Sequence, residues 1–241
     1  MKRRELTSQT MDERVAALEA AVEARTRDLK AALDQRTALL HELDHRVKNN
    51  LQLISSLMLM QARRTADPSV RAALDGMLER LHAIATVHRR LFQTEDVERF
   101  DLSEFVRDLV ADLAGSNRHP LLTFQCVLAP AEVPASRAAS LALLINELVS
   151  NAMRHAFPDG RPGRILIDVR KSGEGLRIEI ADDGVGMAGS PGGAQDAAAG
   201  FGLTIVDLLG RQLRACIRRE TTDIGVRTVI ALPPESVGVG R

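Results

Sequence analysis

Four stretches of the 241-residue chain carry side chains suited to chemistry. The first is His41-Glu42-Leu43-Asp44-His45-Arg46-Val47-Lys48-Asn49-Asn50. Apolar residues at 40, 43, 47, 51, 54 and 58 recur at helical spacing, so His41, His45, Lys48, Asn49 and Gln52 fall on the flank of an apolar stripe. A helix there displays an imidazole, an ammonium and two amides on a face that is not its core. The rest of the chain reads as machinery that delivers something to His45. The second stretch is Asn146-Glu147-Leu148-Val149-Ser150-Asn151-Ala152-Met153-Arg154-His155, in which Glu147, Asn151 and His155 follow at i, i+4 and i+8. A carboxylate and an amide oxygen on one face suit a hydrated Mg2+, a hard ion that keeps several waters. Arg154 and His155 are long enough to reach phosphates. Taken alone, the same residues also describe an ordinary polar helix face.

The third stretch is Asp182-Asp183-Gly184-Val185-Gly186-Met187, directly after an apolar alternation. A carboxylate at a strand end can accept a hydrogen bond from a purine amino group, and Gly184 and Gly186 let the backbone pass close to the base. Asp-Gly turns are common, so this motif is weak by itself. The fourth is Gly200-Phe201-Gly202-Leu203, read as opening a helix whose exposed N–H groups and positive dipole end favour phosphate. A plain helix start is the alternative. The GxxxxGK[ST] loop does not occur.

These residues need elements to hold them. Residues 1–60 contain no Pro and no Gly, as a long uninterrupted helix requires. Positions 15, 18, 22, 25, 29, 32, 36, 39 and 43 give Val, Leu, Val, Arg, Leu, Ala, Arg, Leu and Leu, an imperfect heptad seam with two Arg intrusions. It predicts a coiled coil running into the His45 segment. Asp67-Pro68-Ser69 breaks the helix and restarts it. Val70, Leu74, Met77, Leu81, Ile84 and Leu91 mark a second amphipathic helix. A helical hairpin leaves both stripes half exposed, and two copies close a four-helix bundle, so a homodimer is expected. Met58, Met60 and Met77 read as core filler, and His88 as a packed histidine on the apolar side.

A second domain begins near Phe100, with a helix from Asp101 whose apolar face is Leu102, Phe105, Leu109 and Leu113. Strands are expected over 121–128, 164–170 and 176–181, a helix over 136–157 ending at Pro158-Asp159-Gly160, a mobile Gly/Ala-rich lid over 184–200, a helix over 203–213, a hairpin from 215–220 and 226–232, and a disordered tail.

Composition narrows the function classes. Lys plus Arg and Asp plus Glu are 32 each, which gives no general reason to expect nucleic acid or an anionic membrane. Six Phe with no Trp or Tyr argue against stacking platforms for single strands. Two distant cysteines, Cys126 and Cys216, suit a reducing compartment. No apolar run approaches the ~18–20 residues of a membrane span, and a cytoplasmic location is expected.

The second, third and fourth stretches, in this order, resemble the N, G1 and G2 boxes of the GHKL ATPase superfamily. With His45-Arg46-Val47-Lys48-Asn49-Asn50 ahead of them, the whole resembles a sensor histidine kinase core of the HisKA_2 type over about residues 35–232. The related HWE group fits less well, since its N box starts with His where this chain has Asn146, and the chain has no Trp. The resemblance implies an α plus α/β fold: a helical hairpin forming a dimeric four-helix bundle, followed by an α/β sandwich of the GHKL (Bergerat) type. The corresponding domains are a signalling helix over 1–35, a dimerisation and phosphotransfer hairpin over 36–97, an ATP-binding domain over 98–233 and a tail over 234–241.

By the same resemblance, His45 takes the γ-phosphoryl group of ATP on Nε2 and passes it to an Asp of a response-regulator receiver domain. Asn151 coordinates Mg2+, with Glu147 beside it to position water or assist proton transfer. Arg154 and His155 lie near the phosphates, Asp182 reads the adenine amino group, and Gly184, Gly186, Gly200 and Gly202 line the pocket. The commonest histidine kinases place an acidic residue directly after the phosphoacceptor. Here that residue is Arg46, and either Asp44 or Glu42 is left to tune His45. Asn49 is a candidate for orienting water in a reverse phosphatase reaction. Two sources of control stay open: a sensory partner protein docking on residues 1–40, or no input at all in a constitutively active kinase.

Three other readings compete. His41-Glu42-Leu43-Asp44-His45 satisfies HExxH, the zinc peptidase signature, though no GxxH extension follows. An anti-sigma serine kinase of the same superfamily would need neither the hairpin nor His45. A phosphotransfer scaffold would keep the hairpin and lose ATP binding, against the intact Asn151, Asp182 and glycine motifs.

Overall fold

The computed structural model describes residues 2–93, 98–115, 121–186 and 197–234. They form two compact units, Met1–Asn50 and Leu51–Arg241. The first is made by helix α1, Lys2–Arg64, whose last turns belong to the second unit. Free of Pro and Gly through residue 60, it runs unbroken as its sequence requires. Leu18, Val22 and Leu29 of the heptad seam stand 65%, 62% and 63% exposed, so the single chain leaves that seam bare.

The second unit opens the hairpin. Helix α2, Pro68–Gln93, starts with Pro at its first position and Asp67 as its cap. Asp67 Oδ1 accepts hydrogen bonds from the Ser69 hydroxyl (2.8 Å), the Ser69 N–H (2.8 Å) and the Val70 N–H (3.4 Å). These bonds, the hydroxyl first, hold the Asp67 carboxyl below the usual range. Met60 and Met77, expected as core filler, are instead 55% and 45% exposed in the single chain. His88, expected as a packed core histidine, is only half-buried.

The α/β layer follows. Strand β1 (Arg99–Asp101) pairs antiparallel with β3 (Glu132–Pro134), a two-stranded ribbon too short for any periodicity to announce it. Helix α3 (Leu102–Gly115) starts where Asp101 accepts a bond from the Glu104 N–H (3.0 Å). The main sheet has the order β2-β4-β5-β7-β6, built from β2 (Leu122–Leu128), β4 (Gly163–Ser172), β5 (Gly175–Asp182), β6 (Cys216–Thr222) and β7 (Gly225–Leu232). Strands β2 and β4 run parallel, joined through helix α4 (Ala135–His155), and the other neighbours are antiparallel.

Alternation sets the two faces of this sheet. Ile165, Ile167, Ile178, Ile180 and Ile230 point into the core, where they meet Leu141, Leu144 and Ile145 of α4. The opposite face carries a lattice of charges. Glu179 accepts from Arg177 (2.9 Å) and Arg227 (3.0 Å), and Arg227 also reaches Glu220 (3.5 Å). One wet face and one helix-covered face make a two-layer sandwich.

Helix α5 spans Ala197–Leu213, so it begins three residues before Gly200. Three alanines, the best helix formers, extend it ahead of the glycines. Gly200 therefore sits in the first turn and Gly202 inside the helix, rather than at its opening. The expected lid falls mostly on residues 187–196, and the expected tail on 235–241, both outside the described residues.

Candidate nucleotide-binding site

Helix α4 carries three demands on its middle turns. Asn146 and Glu147 are polar yet 2% and 1% exposed, and Asn151 is half-buried. A buried carboxylate is costly unless paired and hydrogen-bonded. Glu147 is met by Arg80 of α2, whose Nε donates to Oε1 at 2.7 Å and whose Nη2 donates to Oε2 at 2.8 Å, a fork-to-fork pair. Two turns on, Arg154 pairs with Glu79, the neighbour of Arg80. Two consecutive residues of α2, of opposite charge, thus hold two residues of opposite charge on α4.

On its other side α4 meets α5 at Gly202. A Cβ built there would lie 3.3 Å from Asn151 Oδ1 and 3.3 Å from Glu147 Oε2. The bare α-carbon of Gly202 is what lets α5 close onto that carboxylate and amide.

The loop after β5 completes the site from the sheet. A Cβ on Gly184 would come within 2.3 Å of the Ala156 carbonyl oxygen, at the end of α4, and Val185 N–H donates to that same oxygen at 3.0 Å. Gly186 has φ +70°, a conformation glycine adopts without strain. Asp182, the last residue of β5, accepts from the Gly184 N–H (3.0 Å) and the Val226 N–H (3.3 Å), both on Oδ1. Among the described residues, Oδ2 accepts nothing. Burial pushes the Asp182 carboxyl above its usual range and Asp183 adds to it, against the two backbone donors and Arg219. Asp183 is spent locally, accepting from the Arg164 N–H at 2.6 Å.

Glu147, Asn151 and Gly202 are thus brought together, and the loop carrying Asp182, Gly184 and Gly186 abuts the C-terminal end of the same helix. Arg154 faces α2, and His155 is half-buried. Gly200 lies in the first turn of α5. His45 and Asn49 are exposed on α1 in the other unit. Near His45, Arg46 Nε donates to Glu42 Oε1 at 2.6 Å, so the Glu42 carboxylate is already engaged one turn along the helix. The side chains of His41 and Asp44 lie outside the described residues.

The donor set fits Mg2+ with ATP. Among the described residues no three of His, Cys, Asp and Glu gather to hold a metal. A cation here would rest on Asn151, water and phosphate oxygens, which is how Mg2+ is usually held beside phosphates. The free Oδ2 of Asp182 is a ready acceptor for an exocyclic amine. Reading the sequence missed Arg80 and Glu79, because an acid–base pair on a helix looks like a solvated face until its partners on α4 are seen.

Comparison with known proteins agrees with this geometry. A family model described as histidine kinase, HisKA_2, matches residues 42–117, and one described as histidine kinase-like ATPase domain matches residues 110–227. The sensor histidine kinase PdtaS of Mycobacterium tuberculosis is 32% identical over 88% of the chain, and the chain spans 42% of that protein's length. Blue-light-activated histidine kinase 2 of Erythrobacter litoralis is 26% identical over 66% of the chain and 46% of its own length. The solved histidine kinase domain of the Erythrobacter litoralis EL346 blue-light activated histidine kinase superposes with a TM-score of 0.58 at 24% identity, covering 80% of this chain and 92% of that one, which shows the shared fold. No helix among the described residues is long and apolar enough to cross a membrane. With both family models side by side on the hairpin and the α/β layer, the chain belongs to the histidine kinases, as a HisKA_2-type core joined to a histidine kinase-like, GHKL-type ATPase domain.

Proposed function

We propose that the chain is the kinase core of a cytoplasmic two-component sensor histidine kinase that phosphorylates itself on His45 from ATP and passes the phosphoryl group to an Asp of a response-regulator receiver domain. The observation that carries the ATP half is the closure of Gly202 onto Asn151 and Glu147 beside a half-buried Asp182 with a free oxygen. In this reading Asp182 Oδ2 accepts from the adenine amino group, and Gly184 and Gly186 let the backbone follow the base. Asn151 holds Mg2+, which when bound neutralises charge on the phosphates. His155 and the first turn of α5, with Gly200, face the phosphates, and Arg154 joins them when it leaves Glu79.

The transfer itself is a displacement. The lone pair of a neutral His45 imidazole nitrogen forms a bond to the γ-phosphorus, the bond from that phosphorus to the bridging oxygen breaks, and its electron pair leaves with ADP. Glu147 positions the reacting groups or takes up a proton once Arg80 releases it. Of the two carboxylates near His45, Asp44 is the better candidate to tune it, since Glu42 is held by Arg46. Asn49, one turn on, orients water in the reverse reaction.

We further propose a homodimer, because the seam of Leu18, Val22 and Leu29 and the side chains of Met60 and Met77 are bare in the single chain. The domains are a signalling helix over 1–35 that receives a partner, a phosphotransfer hairpin over 36–97 and an ATP-binding domain over 98–233. Calorimetric titration with ATP and Mg2+ tests the nucleotide half. Saturable binding that Asp182→Ala removes supports the kinase, whereas no affinity at all favours a phosphotransfer scaffold.

A further inference from the structure

A cavity of about 580 Å3 lies between α2, α3 and α4, lined from α4 by residues other than the Glu147–Asn151 pair. Its walls are unlike in three ways. Leu78, Phe105 and Met153 give it an apolar part. Asn146, 98% buried by its 2% exposure, presents an Nδ2 that has no hydrogen-bond partner. Half-buried Asp75 of α2 and exposed Asp112 of α3 also line it, with no ion-pair or hydrogen-bond partner among the described residues. A buried amide donor left unsatisfied is rare in a folded chain and costs stability.

We infer that this cavity is a binding site for a small cationic amphiphile: a molecule with an apolar body, a carbonyl-type acceptor for Asn146 Nδ2, and an ammonium for Asp75 and Asp112. The volume is that of an ordinary small-molecule site, roughly 300–1,000 Å3. The acceptor supplies the bond Asn146 lacks, and the cation supplies charge where two carboxylates stand alone. Glu79 and Arg154 line the same cavity and already pair with each other, so they add no net charge. An occupant touches α2 and α4 together, so its binding is linked to their docking and, by reciprocity, responds to it.

The test is calorimetric titration of the full chain with procainamide, a benzamide that carries an aromatic ring, an amide carbonyl and a tertiary ammonium. Saturable single-site binding is expected, and saturating AMP-PNP with Mg2+ should shift its affinity without competing the probe out of the site. Asn146→Leu, and separately the double change Asp75→Asn with Asp112→Asn, are expected to weaken it by about tenfold or more. N-butylbenzamide, which lacks the cation, should bind correspondingly less tightly. Asn146→Leu keeps the side-chain shape and removes the unpaired donor, so it should melt no lower than wild type, and neither Asp75 nor Asp112 is fully buried. Absence of saturation, equal affinity in wild type and both variants, or displacement by AMP-PNP would each overturn the assignment. The result does not depend on kinase activity: probe binding without autophosphorylation keeps this site and removes the proposed function, and the converse removes only this site.

Discussion

Arg80 on α2 and Glu147 on α4 are joined by two parallel hydrogen bonds of 2.7 and 2.8 Å, and the carboxylate they enclose is 1% exposed. Removing one partner of such a pair leaves the other charge buried alone. Arg80→Ala is expected to lower unfolding stability by about 3 kcal/mol, measured by urea titration. Arg80→Lys keeps the charge but not the fork and should fall between the two. A change within a few tenths of a kcal/mol for Arg80→Ala would mean that the pair does not hold α2 on α4.

Glu147→Gln separates the roles of that carboxylate. The amide keeps the shape beside Gly202 and loses the charge, so autophosphorylation should slow by about 10²-fold while ATP affinity changes little. Rate and affinity falling together would make Glu147 part of the binding surface instead.

The two glycine boxes should respond differently to the same small substitution. A methyl on Gly184 would meet the Ala156 carbonyl oxygen at 2.3 Å, backbone against backbone, so Gly184→Ala should cost about 1–3 kcal/mol, as overpacking does. A methyl on Gly202 meets side-chain atoms of Asn151 and Glu147 at 3.3 Å, which can give, and alanine favours the helix by up to about 1 kcal/mol. Gly202→Ala should therefore fold about as well as wild type and lose nucleotide affinity, read by thermal melts and calorimetry.

Asp182 gives a pH signature. Its carboxyl is raised chiefly by burial, so the folded chain holds that proton more tightly than the unfolded one. The associated stability is fully present below the unfolded value and is lost as pH rises through the raised folded value. Asp182→Asn removes the penalty, keeps an acceptor for the Gly184 and Val226 N–H groups, and loses the charge offered to an amine. The variant's melting temperature should overtake that of wild type as pH rises out of the acid range, while its ATP affinity falls. A constant gap between the two melting curves across pH would refute the assignment.

Long elements and ordered motifs were legible because they are repetitive or chemically distinctive. The Pro- and Gly-free run up to residue 60, the Asp67-Pro68 break and the alternation of β4 and β5 each match the observed elements within a few residues. The β1–β3 ribbon was not, since three residues carry no period. Gly200 and Gly202 point to a helix opening there, but the three alanines ahead of them carry α5 back to Ala197. The Arg80–Glu147 and Glu79–Arg154 pairs were invisible for a different reason: they join residues 67 and 75 positions apart, and nothing local distinguishes them from solvated charges.

The most direct test of the central claim is incubation of wild type and His45→Ala with γ-labelled ATP and Mg2+, followed by acid and alkali washes. Label that survives alkali, is lost in acid and is missing from His45→Ala is the expected result, because a phosphoryl–nitrogen bond has that stability. Label that resists acid and persists in His45→Ala would contradict a histidine kinase acting at His45 and point to transfer onto a hydroxyl.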